Sequence, residues 1–467
     1  MIISLNWLKN YTDIDINADE FCRRMIMSGS NLETCTHFGE NIKNVVVGKV
    51  VRIEKHPDAD KLLVCQTDIG DATAKGKENG LLQIVTGAPN VFEGAVLPVA
   101  LHGSYIPSAI HGKDDDGNGT KITRSKLRGI ISNGMFCGPQ ELGIEDKCAP
   151  LYCNDGLWIL NDYIEKGLDI KLGEDIVKAL NLDDYIIDFE ITPNRPDCLS
   201  VIGIAREASA TLDKPLNYPA TGVNGEGDKM SIAVENYAKG CKRYVARTIT
   251  DIKIEQSPLW MQNALMASGM RPINNIVDIA NYVMLETGQP LHTFDTRFIE
   301  NGKIVVRECE TDIKFTTLDG ETRNVSKGTT MICDGKKEIG IAGIMGGQNS
   351  EVKPDTTEIL LESANFEKGF IKKASKQLSL KTEASTKYEK GVDINLASFA
   401  SDRFCHLVEE LGCGRVSEDY IDLYSKDKTA EVPLTVRARV SRINSFLGID
   451  ISREEMEGYL RRLEMKV

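Results

Sequence analysis

No apolar run in this chain approaches the ~18 residues that a helix needs to cross a bilayer. The stretch VVVGKVV at Val45 to Val51 is far too short. The N-terminus, MIISLNWLKNYTD, lacks the long apolar core and small-residue cleavage site of a secretory signal. These absences argue against a membrane partner and for a cytoplasmic location. Twelve cysteines are present, yet no two stand in C-x-x-C spacing. The tightest group, Cys137, Cys148 and Cys153, lacks the paired short spacing of a zinc site, so free and mostly buried thiols are expected. An excess of positive charge is also missing. With Lys+Arg 56 against Asp+Glu 69, the net charge is −13, which excludes a surface that attracts polyanions everywhere. Any nucleic-acid contact has to be local.

Two local basic stretches exist. KITRSKLRG carries Lys121, Arg124, Lys126 and Arg128. The span Lys368 to Lys390 carries Lys368, Lys372, Lys373, Lys376, Lys381, Lys387 and Lys390 against only Glu383 and Glu389. Charge runs are usually solvated faces, so alone they do not establish RNA binding.

A length of 467 residues suits roughly two to four domains. The opening segment reads as a small mixed unit, with Asn17 and Glu20 marking a helix start and Phe21, Met25 and Ile26 its apolar face. From Asn44, short β-rich runs alternate with turns every ~8–15 residues, the pattern of a small barrel. DATAKGKENG and HGKDDDGNGT are loops inserted on it. After TPNRPDCLS a helix from about Ser200 places Val201, Ile204, Ala205 and Ala208 on one face. A central domain runs from roughly Ser231 to Leu396. Its helix Ser257 to Gly269 opens on a Ser-Pro cap pair and ends at glycine. Ile273, Ile276, Val277, Ala280, Val283 and Met284 keep helical spacing up to Gly288. From Val432 a short strand gives way to helices. Ser452 and Glu455 form a capping box, and Met456, Tyr459, Leu460 and Leu463 are the expected buried face. The chain stops after that helix, so a domain ending there is expected to be incomplete.

Three separated segments carry the chemistry. They are RPINNIVDIANYVMLETGQPLHTFD (Arg271 to Asp295), IAGIMGGQNS with ILLESANF (Ile341 to Ser350 and Ile359 to Phe366), and LKTEASTKYEKGVD (Leu380 to Asp393). Together they resemble the editing region of the β-subunit family of bacterial phenylalanyl-tRNA synthetases. HPDADKLLVCQTDIG, QIVTGAPNV and KITRSKLRGIISNGMFCGPQELG resemble, in the same order, the tRNA-binding OB-fold of several synthetases and free-standing tRNA-binding proteins. The order of pieces resembles the β subunit over essentially the whole chain.

The resemblance implies a multidomain α+β fold: an N-terminal mixed unit (B1, 1–40 and 152–205), an inserted OB-fold β-barrel (41–151), a central α+β editing domain (B3/B4, 206–398) and an incomplete α/β B5 domain (399–467). It also implies a reaction, the hydrolysis of tyrosine from misacylated Tyr-tRNA(Phe). A pocket that binds phenylalanine cannot strongly reject an analogue that only adds a hydroxyl, so a second site that requires the hydroxyl is needed. Glu362 matches the position that recognises this hydroxyl. A buried carboxylate left without that partner by phenylalanine would cost about 1–3 kcal/mol. From composition alone Glu362 is a salt-bridged acid on a strand edge. His292 matches the editing-site histidine, placed to orient or deprotonate water, and a lone histidine is otherwise more often structural. Asn281 matches a polar pocket position that would hold the water or the ribose end. Gly346, Thr382 and Ala384 match positions shaping the pocket. GIMGGQ lacks the G-x-G-x-x-G spacing and setting of a dinucleotide site. In the barrel, Lys121, Arg124, Lys126 and Arg128 would contact phosphates while Ser125, Asn133 and Gly134 shape the loop. Phe136 is the only aromatic there, as suited to core as to stacking. His56 is read as part of a turn stabilised by Asp58 and Asp60, against a lesser reading as a metal ligand.

The implied partners are tRNA(Phe) and an α subunit, in a heterotetramer of two α and two β chains. ATP and Mg²⁺ serve the whole synthetase. No cofactor or metal ligand is assigned to these residues. The alternative is a non-enzymatic tRNA-binding and assembly scaffold with a vestigial pocket.

Overall fold

The computed structural model describes residues 1–107, 119–153, 156–425 and 434–467. Val432 and most of the HGKDDDGNGT loop lie outside them. The strand Asp184–Phe189 pairs antiparallel with both Ile2–Ser4 and Leu32–Phe38, so one three-stranded sheet closes over the intervening β unit. Asn17 caps the helix Ala18–Met27 by accepting the N–H of Glu20, and Phe21 and Met25 are fully buried. Ile26 is instead exposed, because only the Phe21–Met25 side meets the sheet. Ser200 accepts the N–H of Gly203 and starts the helix Val201–Leu212, whose Val201, Ile204, Ala205 and Ala208 are completely enclosed as the spacing predicts.

The β unit is an antiparallel sheet in the order Gly134–Phe136, Val96–Ile106, Lys43–Lys55, Leu63–Asp68, Leu81–Thr86, Lys77–Glu78. Its two ends meet: Asn133 N–H donates to Gln83 O at 2.9 Å and Val85 N–H to Ser132 Oγ at 3.0 Å. Within the run VVVGKVV, Val45, Val46, Val47, Gly48 and Val50 are buried, while Lys49 and Val51 are exposed. Val45 and Val47 pack with Trp158, Leu160 and Ile176, whereas Val46 and Val50 pack with Cys65, Leu82, Ile84 and Leu97. Residues 157–182 therefore share a core with the β unit.

The central unit stacks two sheets. In the first, Leu291–Asp295, Ile359–Phe366 and Cys241–Thr250 run antiparallel in that order, and Arg415–Val416 and Ile421–Tyr424 pair with the outer edge of Cys241–Thr250. In the second, Ala233–Asn236, Lys303–Glu308, Thr330–Cys333, Glu338–Ile341 and Met345–Gly346 lie side by side. All eight residues of Ile359–Phe366 are buried, and their alternation sorts them. Ile359 and Leu361 face the helices Asn275–Thr287 and Leu396–Glu410, while Leu360, Ala364 and Phe366 face the second sheet. Each such fully buried aliphatic side chain contributes about 1.5–3 kcal/mol.

Several local expectations are corrected. The helix after Ser257-Pro258 spans Leu259–Ala267 with no side-chain cap, because Ser257 Oγ donates to the buried Asp278 instead. Ile273 precedes its helix and is exposed. The boundary at residue 399 falls inside the helix Leu396–Glu410, whose Phe404, Leu407 and Val408 are buried with Ile359 and Leu361. Ser452 does cap Arg453–Arg462 by accepting the N–H of Glu455, yet no residue of that helix is buried. It rests at its end on Val201–Leu212, with Arg206 to Glu464 at 2.7 Å and Arg462 to Asp213 at 2.9 Å. Among the described residues no helix is long and apolar enough to cross a membrane.

Candidate functional site

Strand register assembles the site. His292 is the antiparallel partner of Glu362, and Ala246 is its partner on the other side. Paired residues project to the same face with Cβ atoms about 4.5–5.5 Å apart. Glu362 shares its parity with Leu360, Ala364 and Phe366, so it and His292 point away from the helices and toward the second sheet. There they line a cavity of about 60 Å³ with Ile344, Met345, Gly346, Ala384 and Tyr388. Nucleotide and cofactor clefts run to roughly 300–1,000 Å³, so this space suits a side-chain-sized guest.

The three corners of the cavity are set by packing. At Gly346 a Cβ would lie 2.5 Å from both Cε1 and Nε2 of His292 and 3.2 Å from Leu318, so only glycine lets the strand Met345–Gly346 pass the imidazole. Phe294 meets the same ring edge-to-face at 4.5 Å between centroids. Gly343 has φ +66°, and a Cβ there would meet Tyr388 and Ile371 at 2.9 Å, which holds the turn before Gly346 close to both helices. Thr382 caps Glu383–Lys390 in a capping box with Ser385, and its hydroxyl donates to Ile344 O at 2.9 Å. Its role is to pin the helix that carries Ala384 and Tyr388 to the turn opposite; it does not itself line the cavity.

Burial changes the chemistry of the two titratable groups. Desolvation lowers the His292 pKa to about 4, leaving a neutral imidazole at pH 7. Desolvation raises Glu362 to about 7, opposed only by the hydrogen bond from Tyr244, whose hydroxyl donates to Glu362 Oε2 at 2.7 Å. The Tyr388 hydroxyl donates to Ala364 O at 2.7 Å and accepts from Gln289 Nε2 at 3.1 Å. Tyr244, Tyr388 and Gln289 were not singled out from the sequence. The β-branched and aromatic residues of KRYVARTIT signal a strand, but nothing local names Ile359–Phe366 as its neighbour. Glu362 is buried, with Tyr244 as its hydrogen-bond donor and no salt bridge among the described residues, so the reading as a salt-bridged acid on a strand edge does not hold. Asn281 stands apart: it sits on Asn275–Thr287, the helix on the other face of the sheet, and is not among the cavity residues.

The β unit presents the second set. Lys121 ends the strand Thr120–Lys121, with Nζ 5.4 Å from the Tyr105 ring centroid. Lys126 lies in Ser125–Leu127, which pairs with Ile130–Ser132, and Arg128 turns the hairpin at φ +44°. Lys121, Arg124, Lys126 and Arg128 are all exposed, about 160–270 residues before the cavity in sequence. Phe136 is core. His56 is buried, with Nε2–H donating to Leu127 O at 3.0 Å and Nδ1 accepting from Asp58 N–H at 3.1 Å. The histidine itself holds the turn, and both ring nitrogens are engaged. Cys137, Cys148 and Cys153 are buried free thiols. Among the described residues one group has metal-ligand proximity, Asp197, Cys198 and Glu207, and there Arg195 already pairs with both carboxylates.

Comparison with known proteins agrees with these two regions. The B3/4 domain family matches residues 240–413 and the putative tRNA binding domain family matches residues 45–152. The two modules on one chain define a subunit of the aminoacyl-tRNA synthetase class. The chain belongs to the phenylalanine–tRNA ligase β-subunit family. It is 47% identical over 468 residues to the β subunit of Clostridium acetobutylicum, covering 100% of this chain and 55% of that protein. Identity to the Clostridium tetani subunit is 47% (100% and 55%) and to that of Syntrophus aciditrophicus 41% (100% and 54%). The chain thus spans about half the length of these curated relatives.

Proposed function

We propose that this chain binds tRNA(Phe) and hydrolyses tyrosine from misacylated Tyr-tRNA(Phe), as part of a phenylalanine–tRNA ligase. The observation that carries this reading is Glu362 and His292 side by side in one cavity, with Gly346 closing against the imidazole. Glu362 reads the tyrosyl hydroxyl: protonated or not, its carboxyl can bond a hydroxyl, and phenylalanine leaves it desolvated without that partner. His292, neutral at pH 7 and with a basicity too low for efficient proton abstraction, orients the attacking water by accepting a hydrogen bond. The aminoacyl ester is already activated, so positioning and exclusion of bulk solvent supply most of the acceleration. Thr382 then acts through the helix and turn it braces.

In this reading the β unit is an OB-fold barrel whose Lys121, Arg124, Lys126 and Arg128 hold phosphates. Residues 1–40 and 152–205 form the B1 unit, 206–398 with the helix that follows form the editing domain, and the segment ending at residue 467 belongs to B5. Aminoacylation, with its ATP and Mg²⁺, is assigned to a partner α subunit in a cytoplasmic heterotetramer of two α and two β chains. The test is single-turnover deacylation by this chain of Tyr-tRNA(Phe) and Phe-tRNA(Phe). Tyrosine is expected to be released and phenylalanine largely spared. Release of neither above the buffer rate, by folded protein, leaves the scaffold reading.

A further inference from the structure

The helix Lys368–Leu378 has two unlike sides. Ile371, Ala374 and Ser375 are buried, and Ile371 packs on Gly343 and so backs the cavity wall. The other side carries Lys368, Lys372 and Lys376 in one i, i+4, i+8 stripe, with Lys373 beside it and Lys381 just beyond. All five are exposed, and none forms an ion pair or side-chain hydrogen bond among the described residues. Elsewhere Lys166, Lys214, Lys303 and Lys337 are each held by carboxylates. Of the acids nearby, Glu367 is 3.3 Å from Lys242, which leaves Glu389 as the one carboxylate among the described groove residues, against Lys368, Lys372 and Lys390. Lys387, expected from sequence to belong to this basic run, is withdrawn from it: its Nζ is buried and donates to Leu199 O at 2.7 Å. Below the stripe lies a groove of about 510 Å³, lined by Pro193, Lys368, Gly369, Lys372, Glu389 and Lys390. The helix Glu383–Lys390 supplies Glu389 and Lys390 to this groove and Ala384 and Tyr388 to the cavity, so the two are adjacent through a single helix.

We propose that this lysine face and its groove dock the phosphodiester backbone of the acceptor end of a tRNA, holding the strand whose 3′ ester enters the cavity. The direction of the strand rests on the editing reading; the binding of RNA does not. In a chain of net charge −13, a continuous set of unpaired lysines makes a local site for a polyanion. Phosphate contacts of this kind release counterions, so their number is read from the dependence of affinity on salt.

The test is equilibrium binding of uncharged tRNA(Phe) to the full chain between about 50 and 200 mM salt, for the wild type and two triple variants. In the first, Lys372, Lys373 and Lys376 become alanine; in the second, arginine. The alanine triple should lower the slope of log K against log salt by about 2, at ~0.7 per contact to a single strand, and weaken binding at least several-fold at the lower salt. The arginine triple should keep the wild-type slope. An unchanged slope in the alanine triple overturns the proposal, and so does an arginine triple that falls as far as the alanine one. Tyrosine release is scored separately. Lysine-dependent binding with no release would sink the editing reading and leave the docking face standing. Release with a lysine-independent slope would do the reverse.

Discussion

The cavity and the basic hairpin of the β unit hold functional groups under opposite conditions. In the cavity, two side chains lie on neighbouring strands, Glu362 buried and His292 half-buried, and desolvation carries His292 down to about 4 and Glu362 up to about 7. On the hairpin, Arg124, Lys126 and Arg128 stand in solvent with no paired carboxylate among the described residues. Enclosure gives each atom a particular energetic consequence, because a displaced or unpartnered group has no water to fall back on. Exposure makes charges nearly interchangeable and subject to screening. Substitutions inside should therefore be large and specific, and those outside small and graded.

The largest expected effect is on stability, and it sets the two buried groups against each other. The folded-state pKa of Glu362, about 7, lies above its ordinary 4.5. Its contribution is complete below about pH 4.5 and is lost as pH rises through 7. For His292 the folded value, about 4, lies below 6.5, so its contribution is complete above 6.5 and is lost as pH falls through 4. A difference of 2.5 pKa units corresponds to about 3 kcal/mol at most for each group. Glu362→Gln should remove a decline in urea resistance between pH 5 and 7.5. His292→Gln should remove a loss between pH 6.5 and 4. Parallel pH profiles for wild type and both variants would show that neither group is desolvated as the cavity requires.

Next comes Gly346→Ala. A methyl 2.5 Å from the His292 ring must displace either the imidazole or the strand. A displacement near 1 Å can cost on the order of 100-fold in rate. Single-turnover release of tyrosine should fall by about that factor in a folded variant. A wild-type rate would mean that the position of the imidazole does not matter to the reaction.

Glu362→Ala tests specificity itself. On the proposed function, removing the carboxyl abolishes both the bond to the tyrosyl hydroxyl and the penalty against phenylalanine. Discrimination between the two esters should fall by about 10–100-fold, or about 1.4–2.8 kcal/mol. His292→Ala, by contrast, should slow both esters together. Full preference for tyrosine in Glu362→Ala would place the reading of the hydroxyl elsewhere.

The same contrast governs what the sequence made legible. Helices whose ends are marked by their own residues were readable: Asn17 and Ser200 cap where expected, and Val201, Ile204, Ala205 and Ala208 face inward. Errors arose where a distant partner decides. Ser257 looks like a cap, but Asp278 takes its hydroxyl. Lys387 looks like part of a basic run, but Leu199 O draws it inside. The helix Leu396–Glu410 runs across residue 399 because Phe404 and Leu407 bury against a strand some 40 residues earlier, which no local signal marks. In the site, His292, Glu362, Gly346 and Ala384 were found through the family resemblance and do converge. Asn281 matched the same resemblance and does not line the cavity. Tyr244 was invisible because strand pairing, unlike capping, leaves no local mark.

The smallest effect should come from the hairpin, and its smallness is the informative part. Arg124→Ala and Lys126→Ala each remove one exposed charge without uncovering a buried group. Each should weaken tRNA binding only a few-fold and lower the salt slope by about 0.7–0.9. The double variant should be additive to within about 0.5 kcal/mol, because the side chains share no partner. Neither should alter the ratio of tyrosyl to phenylalanyl release, since the proposed function has the amino acid read in a different unit of the chain. Filter binding over a salt series, with deacylation of both esters at saturating enzyme, measures both quantities. A change in that ratio on removing Arg124 would show that the hairpin affects how the ester is seated, and the division between a reading cavity and a holding surface would fail.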